Sequence, residues 1–251
     1  MQVLGIRIDS LTKQQALDKV VGFLGSKGQY KIFTPNPEML VDAQKDEYFK
    51  EVLNSGDLNL CDGFGITLVT NWKIKRLPGA DFMLDICQLA VERGQTIYLL
   101  GSGNREAVAK TAEKLQFKYP KLRIVGYNEG PEIKTVKAGK RWLIQSDNEE
   151  VIHDIIMTAP DILFVGFGHG KQEKWIEENL PSLPSVKVAM GIGGSFDYMA
   201  NKIKRAPQWM RQIGLEWFYR LVMQPWRIKR IFKAIFTFLY YVITTKQKTS
   251  Q

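Results

Sequence analysis

Cysteine and histidine are scarce in this chain, which contains two of each among its 251 residues. Cys61 and Cys87 fall in no paired motif, so the sequence offers no disulfide framework and favours a reducing compartment. His153 and His169 lie outside any HExxH pattern, and the chain has neither a CxxC pair nor an Asp-x-Asp motif. We therefore expect no metal ion and no other cofactor.

Long uninterrupted apolar stretches are also lacking. Residues 1–10 show no basic stretch followed by a long apolar run, so we expect no signal peptide. A helix that crosses a bilayer needs about 20 mostly apolar residues, and the most apolar C-terminal stretch is too short and too charged for that. The length of the chain suits one large domain, or one domain with an appendage.

Acidic residues are nearly missing from the last fifth of the chain. Residues 200–251 contain eleven Lys or Arg and a single acid, Glu216, so this segment has a formal charge of +10, whereas the rest has 24 basic and 25 acidic residues. We therefore predict a core of residues 1–205 and a basic, aromatic appendage of residues 206–251. Such a cationic appendage suits an anionic partner, namely nucleic acid, an anionic membrane surface or a phosphorylated substrate.

Short apolar runs that stop at small residues are the main feature of the predicted core. Helical patterns separate several of these runs, which predicts an α/β fold with a parallel sheet and crossover helices. Ligands of such sheets bind beyond the carboxyl ends of the strands. The runs are DLNLCDGFG from residue 57, TIYLLGSGN from residue 96, LRIVGYNEG from residue 122, DILFVGFGHG from residue 161 and VKVAMGIGGS from residue 186.

Glycine at these strand ends lets backbone N–H groups approach an anion, and the helix that follows adds a favourable dipole. We predict that Gly101, Gly166, Gly191 and Gly193 lie against a phosphate-bearing ligand. For any one of these glycines a tight strand–helix turn is the favoured explanation, but their repetition favours a nucleotide-type site. GSGNRE is not a complete dinucleotide fingerprint, so NAD is not inferred.

Asp62 is the carboxylate of greatest interest, because it follows the apolar Leu-Asn-Leu-Cys run and should lie at the carboxyl end of a strand. A carboxylate there can accept a proton from a sugar hydroxyl, although capping of the following helix is an equally good reading. Thr34 and Asn36 belong to TPNPE, which is either a rigid binding loop or a strand-to-helix connector. Gln172 can donate and accept hydrogen bonds in the first turn of a helix. Arg76 can clamp a phosphate or remain a solvated loop charge.

The C-terminal segment predicts an amphipathic helix. Apolar residues recur at helical spacing over residues 228–243 with basic residues opposite, and Pro225 interrupts the preceding helical pattern. Such a helix can lie in a membrane interface, with its aromatic residues at headgroup depth. It can also pack on the core or in an oligomer. Nucleic acid is a competing use of the charge, but the continuous aliphatic face fits lipid better, so we expect no nucleic-acid partner.

Eight stretches of the chain, in the same order, carry a resemblance to a known family. The sequence resembles the WecG/TagA/CpsF glycosyltransferases of bacterial surface-polymer synthesis, and among them the TagA-like members. The stretches are TPNPEML, CDGFGI, RLPGADFM, YLLGSG, VGFGHGKQEKWI, GIGGSFD, KRAPQWM and GLEWFYRLVMQPWRIKR.

The resemblance implies a Rossmann-like core and an inverting transfer of N-acetylmannosamine from UDP-ManNAc to undecaprenyl-diphosphate-linked GlcNAc. The product would be the β-1,4 linkage unit of wall teichoic acid. Asp62 falls on the family's base, and Thr34 and Asn36 fall on its substrate loop. Arg76 and Gln172 match residues that line the family's site.

The resemblance also implies a role for the appendage. Arg220, Arg227 and Arg230 match basic residues of a C-terminal segment that docks on the cytoplasmic face of the plasma membrane, closes over the site and neutralises diphosphate charge. It further implies a homo-oligomer, such as a trimer. This chain departs from the family pattern at His169-Gly170 and at Ala200-Asn201, among other places, which leaves the donor sugar open.

Other functions remain compatible with the residues. The same chemistry with the uronate of UDP-ManNAc, or with UDP-glucose, would serve another surface polysaccharide. From a different class, the chain could be a non-catalytic nucleotide- or nucleic-acid-binding protein with a basic arm, or a membrane scaffold that uses only its C-terminal segment.

Overall fold

The computed structural model describes residues 1–101, 103–200 and 205–249. Within these ranges the chain alternates strands with helices, as the glycine-terminated runs predict. The strands are β1 (Gln2–Val3), β2 (Ile6–Arg7), β3 (Tyr30–Phe33), β4 (Leu58–Asn59), β5 (Thr96–Gly101), β6 (Arg123–Asn128), β7 (Lys134–Ala138), β8 (Arg141–Gln145), β9 (Ile162–Gly166) and β10 (Val188–Gly191).

The helices of the core surround these strands, and the remaining helices belong to the appendage. Single-turn 3-10 segments lie at Leu180–Ser182 and Pro225–Arg227, and a π-helical segment lies at Lys233–Thr237. The α-helices are α1 (Lys13–Gly25), α2 (Pro37–Ala43), α3 (Glu47–Ser55), α4 (Phe64–Val69), α5 (Gly79–Arg93), α6 (Arg105–Lys118), α7 (Glu149–Thr158), α8 (Lys171–Asn179), α9 (Ser195–Met199), α10 (Gln208–Gln212), α11 (Glu216–Met223), α12 (Ile228–Phe232) and α13 (Phe238–Thr249).

Six strands form one parallel sheet in the order β4-β3-β10-β9-β5-β6. Every residue of β5, β9 and β10 is buried, because helices cover both faces of a parallel sheet. Alternate residues enter opposite cores: Leu163 packs in one hydrophobic cluster and Phe164 in the other. The predicted α/β fold with a parallel sheet is therefore confirmed.

The register of the sheet brings the predicted glycines to one edge. Gly101 pairs with Gly166 across β5 and β9, and Gly191 pairs with Val165 across β10 and β9. The carboxyl ends of these three strands are therefore level with one another. This edge is where an open parallel sheet binds its ligands.

A two-stranded antiparallel hairpin, β7 with β8, lies outside the main sheet. One buried carboxylate anchors it: Asp46 accepts a hydrogen bond from the backbone N–H of Trp142 at 3.1 Å and pairs with Lys174 at 2.6 Å. The sequence reading did not anticipate this hairpin.

The appendage is helical and packs on the core. The predicted interruption at Pro225 is confirmed, since a 3-10 segment begins there, but the π-helical segment makes the following helix less regular than predicted. Phe238 and Val242 are buried in the main hydrophobic cluster, so one side of the segment packs on the core. Among the described residues, no helix is both long and apolar enough to cross a membrane. The division of the chain at residue 205 stays a prediction.

Candidate active site

A cleft of about 1180 Å³ opens at the carboxyl ends of the central strands, between the core and the appendage. The turns that follow β3, β4, β9 and β10 form its floor and walls. Helices α11 to α13 close one side, with apolar side chains that include Trp217, Ile235 and Phe238. A cleft of this size and position suits a ligand as large as a nucleotide sugar.

Most of the predicted site residues meet in this cleft. Gly101 and Gly191 do not line it, and a different contact explains why each is glycine. A Cβ atom on Gly101 would lie 2.7 Å from the backbone of Gly166, and one on Gly191 would lie 2.8 Å from the Gln172 side chain. The predicted residues that line the cleft are Thr34, Asn36, Asp62, Arg76, Gly166, Gln172, Gly193 and Arg230.

Two of the predicted appendage arginines cannot be placed in this way. The side chains of Arg220 and Arg227 lie outside the described part of the structure, so their predicted contact with a diphosphate stays a prediction.

Asp62 lies just beyond β4, with its side chain 34% exposed. Its backbone N–H donates to the carbonyl of Pro35 at 3.1 Å, which ties the end of β4 to the loop after β3. The N-cap of α4 is Gly63, and no side chain caps that helix. The helix-capping alternative for Asp62 is therefore not what the structure shows.

Arg76 connects the core to the appendage. Its Nε donates to the carbonyl of Asp62 at 3.0 Å, its Nη1 to the carbonyl of Arg211 at 2.9 Å, and its Nη2 to Glu216 Oε2 at 3.0 Å. The same Nη2 lies 4.0 Å from Asp62 Oδ1. Arg76 is therefore a mostly buried, fixed cation beside Asp62, and not a solvated loop charge.

The TPNPE segment connects β3 to α2 and lies at the cleft, and its predicted role in binding stays a prediction. Asn36 is the N-cap of α2, with its side-chain oxygen accepting from the backbone N–H of Met39 at 3.1 Å, and Pro37 begins the helix. Thr34 is buried against Gly79, where a Cβ atom would lie 3.0 Å from the Thr34 hydroxyl. The segment is a strand-to-helix connector that also lines the cleft.

Gln172 is buried in the first turn of α8 and uses both ends of its amide. Its oxygen accepts from the backbone N–H of Gly193 at 2.9 Å, and its nitrogen donates to Glu173 at 2.7 Å. The second Glu173 oxygen accepts from the N–H of Gly170 at 2.6 Å. Burial raises the pKa of Glu173 above its usual range. Gln172 thus fixes the glycine turn after β10 that faces the cleft.

A charged cluster lies at the mouth of the cleft, where Arg230 of the appendage meets the core. Arg230 makes a bidentate ion pair with Glu38, at 2.9 and 3.0 Å. His169 lies 3.4 Å from Arg230 and 3.1 Å from Asp42. Burial disfavours the charged imidazole, but the Asp42 hydrogen bond and the charges of Glu38 and Glu173 outweigh it and raise the pKa of His169.

The same cluster contains groups of the kind that hold metal ions. Ligand atoms of Glu38, Asp42 and His169 lie within 4.8 Å of one another. The guanidinium of Arg230 already supplies positive charge there, because it donates to both oxygens of Glu38. Sequence reasoning missed this cluster, since none of its members stands in a metal-binding motif.

The outer side of the appendage exposes many large apolar side chains. An aromatic and aliphatic surface of this extent marks a contact site for a membrane or another protein. The exposed residues that do not line the cleft are Trp209, Phe218, Val222, Met223, Trp226, Ile228, Phe232, Phe236, Tyr240 and Ile243.

A parallel sheet with a cleft at its carboxyl ends, lined by glycine turns and arginines, is the arrangement of an α/β protein that binds a phosphorylated ligand. The chain matches the "Glycosyl transferase WecG/TagA/CpsF family" over residues 1–251. It therefore belongs to this family of glycosyltransferases, as the sequence resemblance predicts.

Two bacterial proteins illustrate the relationship, and each is named N-acetylglucosaminyldiphosphoundecaprenol N-acetyl-beta-D-mannosaminyltransferase. The protein of Bacillus subtilis (strain 168) is 34% identical over 204 residues, which cover 80% of this chain and 74% of that protein. The protein of Staphylococcus aureus (strain MW2) is 30% identical over 255 residues, which cover 99% of this chain and 94% of that protein.

Proposed function

We propose that this chain transfers N-acetylmannosamine from UDP-ManNAc to undecaprenyl-diphosphate-linked GlcNAc, with inversion, and so forms the β-1,4 linkage unit of wall teichoic acid. The observation that carries the proposal is the cleft, where Asp62, Arg76 and Gln172 meet beside glycine turns. The names of the related proteins supply the sugar and the acceptor.

Asp62 is the general base in this proposal. Its carboxylate takes the proton from the acceptor hydroxyl of GlcNAc while that oxygen attacks the anomeric carbon and UDP departs from the opposite side. One in-line displacement of this kind inverts the anomeric configuration. Partial exposure of Asp62 toward the cleft leaves its carboxylate accessible to an acceptor.

The glycine turns after β9 and β10 bind the donor diphosphate. Gly166 and Gly193 line the cleft, and α8 begins at Lys171, directly after the turn that follows β9, so that its N terminus adds a favourable dipole there. Gln172 holds Gly193 in place by accepting its N–H. The turn is thus fixed before the nucleotide sugar arrives, which reduces the cost of binding.

Arginines, and no metal ion, neutralise the diphosphate charge in this mechanism. Arg220, Arg227 and Arg230 of the appendage are the proposed cations, and Arg76 provides a fixed charge close to the base. Arg230 would leave Glu38 for a phosphate when substrate arrives, since a guanidinium pairs with either anion in the same bidentate geometry.

The exposed apolar side of the appendage places the enzyme on the membrane that carries its acceptor. Aromatic side chains enter the interface and lysines and arginines meet anionic headgroups. The chain acts as a peripheral protein on the cytoplasmic face of the plasma membrane, where UDP-sugars are available, and it self-associates, with a trimer as the form suggested by the family.

The test is UDP release from a panel of UDP-sugars, with and without a lipid-diphosphate-GlcNAc acceptor, in the presence and absence of EDTA. We expect acceptor-dependent release with UDP-ManNAc that EDTA does not reduce. Release with UDP-glucose or with the uronate instead would change the donor. Activity that EDTA abolishes and Mg²⁺ restores would contradict metal independence, and a folded, lipid-supplied protein that releases no UDP would overturn the proposal.

A further inference from the structure

Glu216 is the single acid of residues 200–251, and it is buried. A buried carboxylate needs paired charges and hydrogen bonds to offset its lost hydration. Its Oε2 accepts from Arg76 Nη2 at 3.0 Å, and its Oε1 lies 3.9 Å from Arg205 Nε. Both arginines line the cleft, so the one acid of this cationic segment is directed at the site.

Arg76 lies between two carboxylates. Its Nη2 is 3.0 Å from Glu216 and 4.0 Å from Asp62. The other two guanidinium nitrogens donate to the backbone carbonyls of Asp62 and Arg211. These two bonds keep the guanidinium beside Asp62, and a small rotation about them lets Nη2 pair with one carboxylate or the other.

The choice of carboxylate matters for chemistry. A carboxylate in direct contact with a guanidinium binds a proton less readily. A weaker base removes the proton of the acceptor hydroxyl more slowly. If Nη2 moved the short distance from Glu216 to Asp62, the base would lose part of its strength while remaining in place.

We infer that Glu216 is a positioning residue, which holds Arg76 off the Asp62 carboxylate and so keeps Asp62 a competent base. Glu216 belongs to α11 of the appendage, so the strength of the base depends on the docking of that helix on the core. The inference rests on the proposed function, because it takes Asp62 as the base.

The test is the pH dependence of kcat/KM in Glu216→Gln, since this ratio reports the base of the free enzyme. Glutamine keeps the size of the side chain and removes its charge, so Arg76 should turn toward Asp62. We expect the acid limb to move down by about one pH unit and kcat to fall by a factor of about three, with KM for the UDP-sugar unchanged. Glu216→Asp keeps the charge and should retain the wild-type limb.

Asp81→Asn is the matched control. Asp81 pairs with Arg205 at 2.6 and 3.0 Å and with Arg211 at 3.4 Å. Its loss therefore removes one carboxylate from the same network and loosens the same end of the appendage, while both carboxylates beside Arg76 remain. We expect its acid limb to stay at the wild-type pH, and circular dichroism and UDP binding would show that each variant is folded.

The outcomes separate this inference from the proposed function. An acid limb at the wild-type pH in Glu216→Gln, or an equal shift of the limb in Asp81→Asn, would overturn the positioning role of Glu216. If Asp62→Asn were inactive in the same experiments, the proposed role of Asp62 as the base would still stand. Turnover that survives Asp62→Asn would instead remove Asp62 as the base, and the role of Glu216 with it.

Discussion

The ion pair between Glu38 and Arg230 should hold the appendage against the mouth of the cleft. Its geometry is bidentate, with Glu38 16% and Arg230 49% exposed. Exposed pairs contribute about 0.2–1 kcal/mol. The bidentate geometry and the partial burial of Glu38 place the contribution of this pair near the upper end of that range. The half exposure of Arg230 keeps the contribution from exceeding the range. We therefore expect a coupling energy of about 1 kcal/mol, which is a roughly fivefold change in the population of undocked appendage.

A double-mutant cycle of Glu38→Gln, Arg230→Gln and the double variant measures this coupling. Chymotrypsin cleavage within residues 206–249 is a suitable assay, because its rate follows the population of the open form when opening is fast. Each single variant should be cleaved about fivefold faster, and the double variant no faster than either. The difference in cleavage rate between wild type and each single variant should shrink in about 1 M salt, which screens exposed charges. Additive effects of the two substitutions would refute the reasoning, since independent sites add.

Three further predictions concern the strand ends, His169 and the membrane face. Gly101→Ala should lower the unfolding free energy by about 3 kcal/mol or more, because Gly101 has φ +124 and lies against the Gly166 backbone. The control Gly103→Ala, at φ +59 with open space around it, should lower it by about 1 kcal/mol. Equal urea midpoints for the two variants would contradict this prediction. The stabilisation by protonated His169 should be complete below its ordinary pKa of 6.5 and disappear as the pH rises through its raised pKa in the folded protein. The urea midpoints of wild type and His169→Gln should therefore differ at low pH and become equal at high pH. A difference between the two midpoints that does not change with pH would count against this prediction. Phe236→Ser should lower the affinity for anionic vesicles, measured by sedimentation, about tenfold. The control Phe117→Ser changes a more exposed phenylalanine on α6 of the core and should leave the affinity unchanged. Equal vesicle binding by both variants would argue against a membrane-binding role of the appendage.

Local patterns in the sequence were sufficient to predict the sheet. The strands β4, β9 and β10 belong to short apolar runs ending in small residues, and this signal needs no knowledge of distant parts of the chain. The remaining strand beside the cleft, β3, has the sequence Tyr-Lys-Ile-Phe and does not carry this signal. The position of Asp62 at a strand end followed from the same pattern. Gly101 shows the limit of such reasoning, because a glycine required by the neighbouring strand has the same appearance in sequence as one that contacts a phosphate.

The contacts between the core and the appendage could not be predicted in this way. Arg76 and Glu216 are 140 positions apart, and Glu38 and Arg230 are 192 positions apart, so no local period connects them. Helical spacing in the C-terminal segment predicted an apolar face but not which side chains enter the core. Phe238 is buried there, whereas Phe232 and Phe236 are exposed, and the π-helical segment at Lys233–Thr237 interrupts the regular helical spacing between them.

The most direct test of the account is sugar transfer by Asp62→Asn. The measurement is UDP release from UDP-ManNAc with a lipid-diphosphate-GlcNAc acceptor in anionic vesicles, accompanied by UDP binding to show that the cleft is intact. General bases contribute about 10²- to 10⁴-fold, so we expect release to fall by that factor while UDP affinity is retained. Release that continues at the wild-type rate in a variant that binds UDP normally would contradict the assignment of Asp62 as the base.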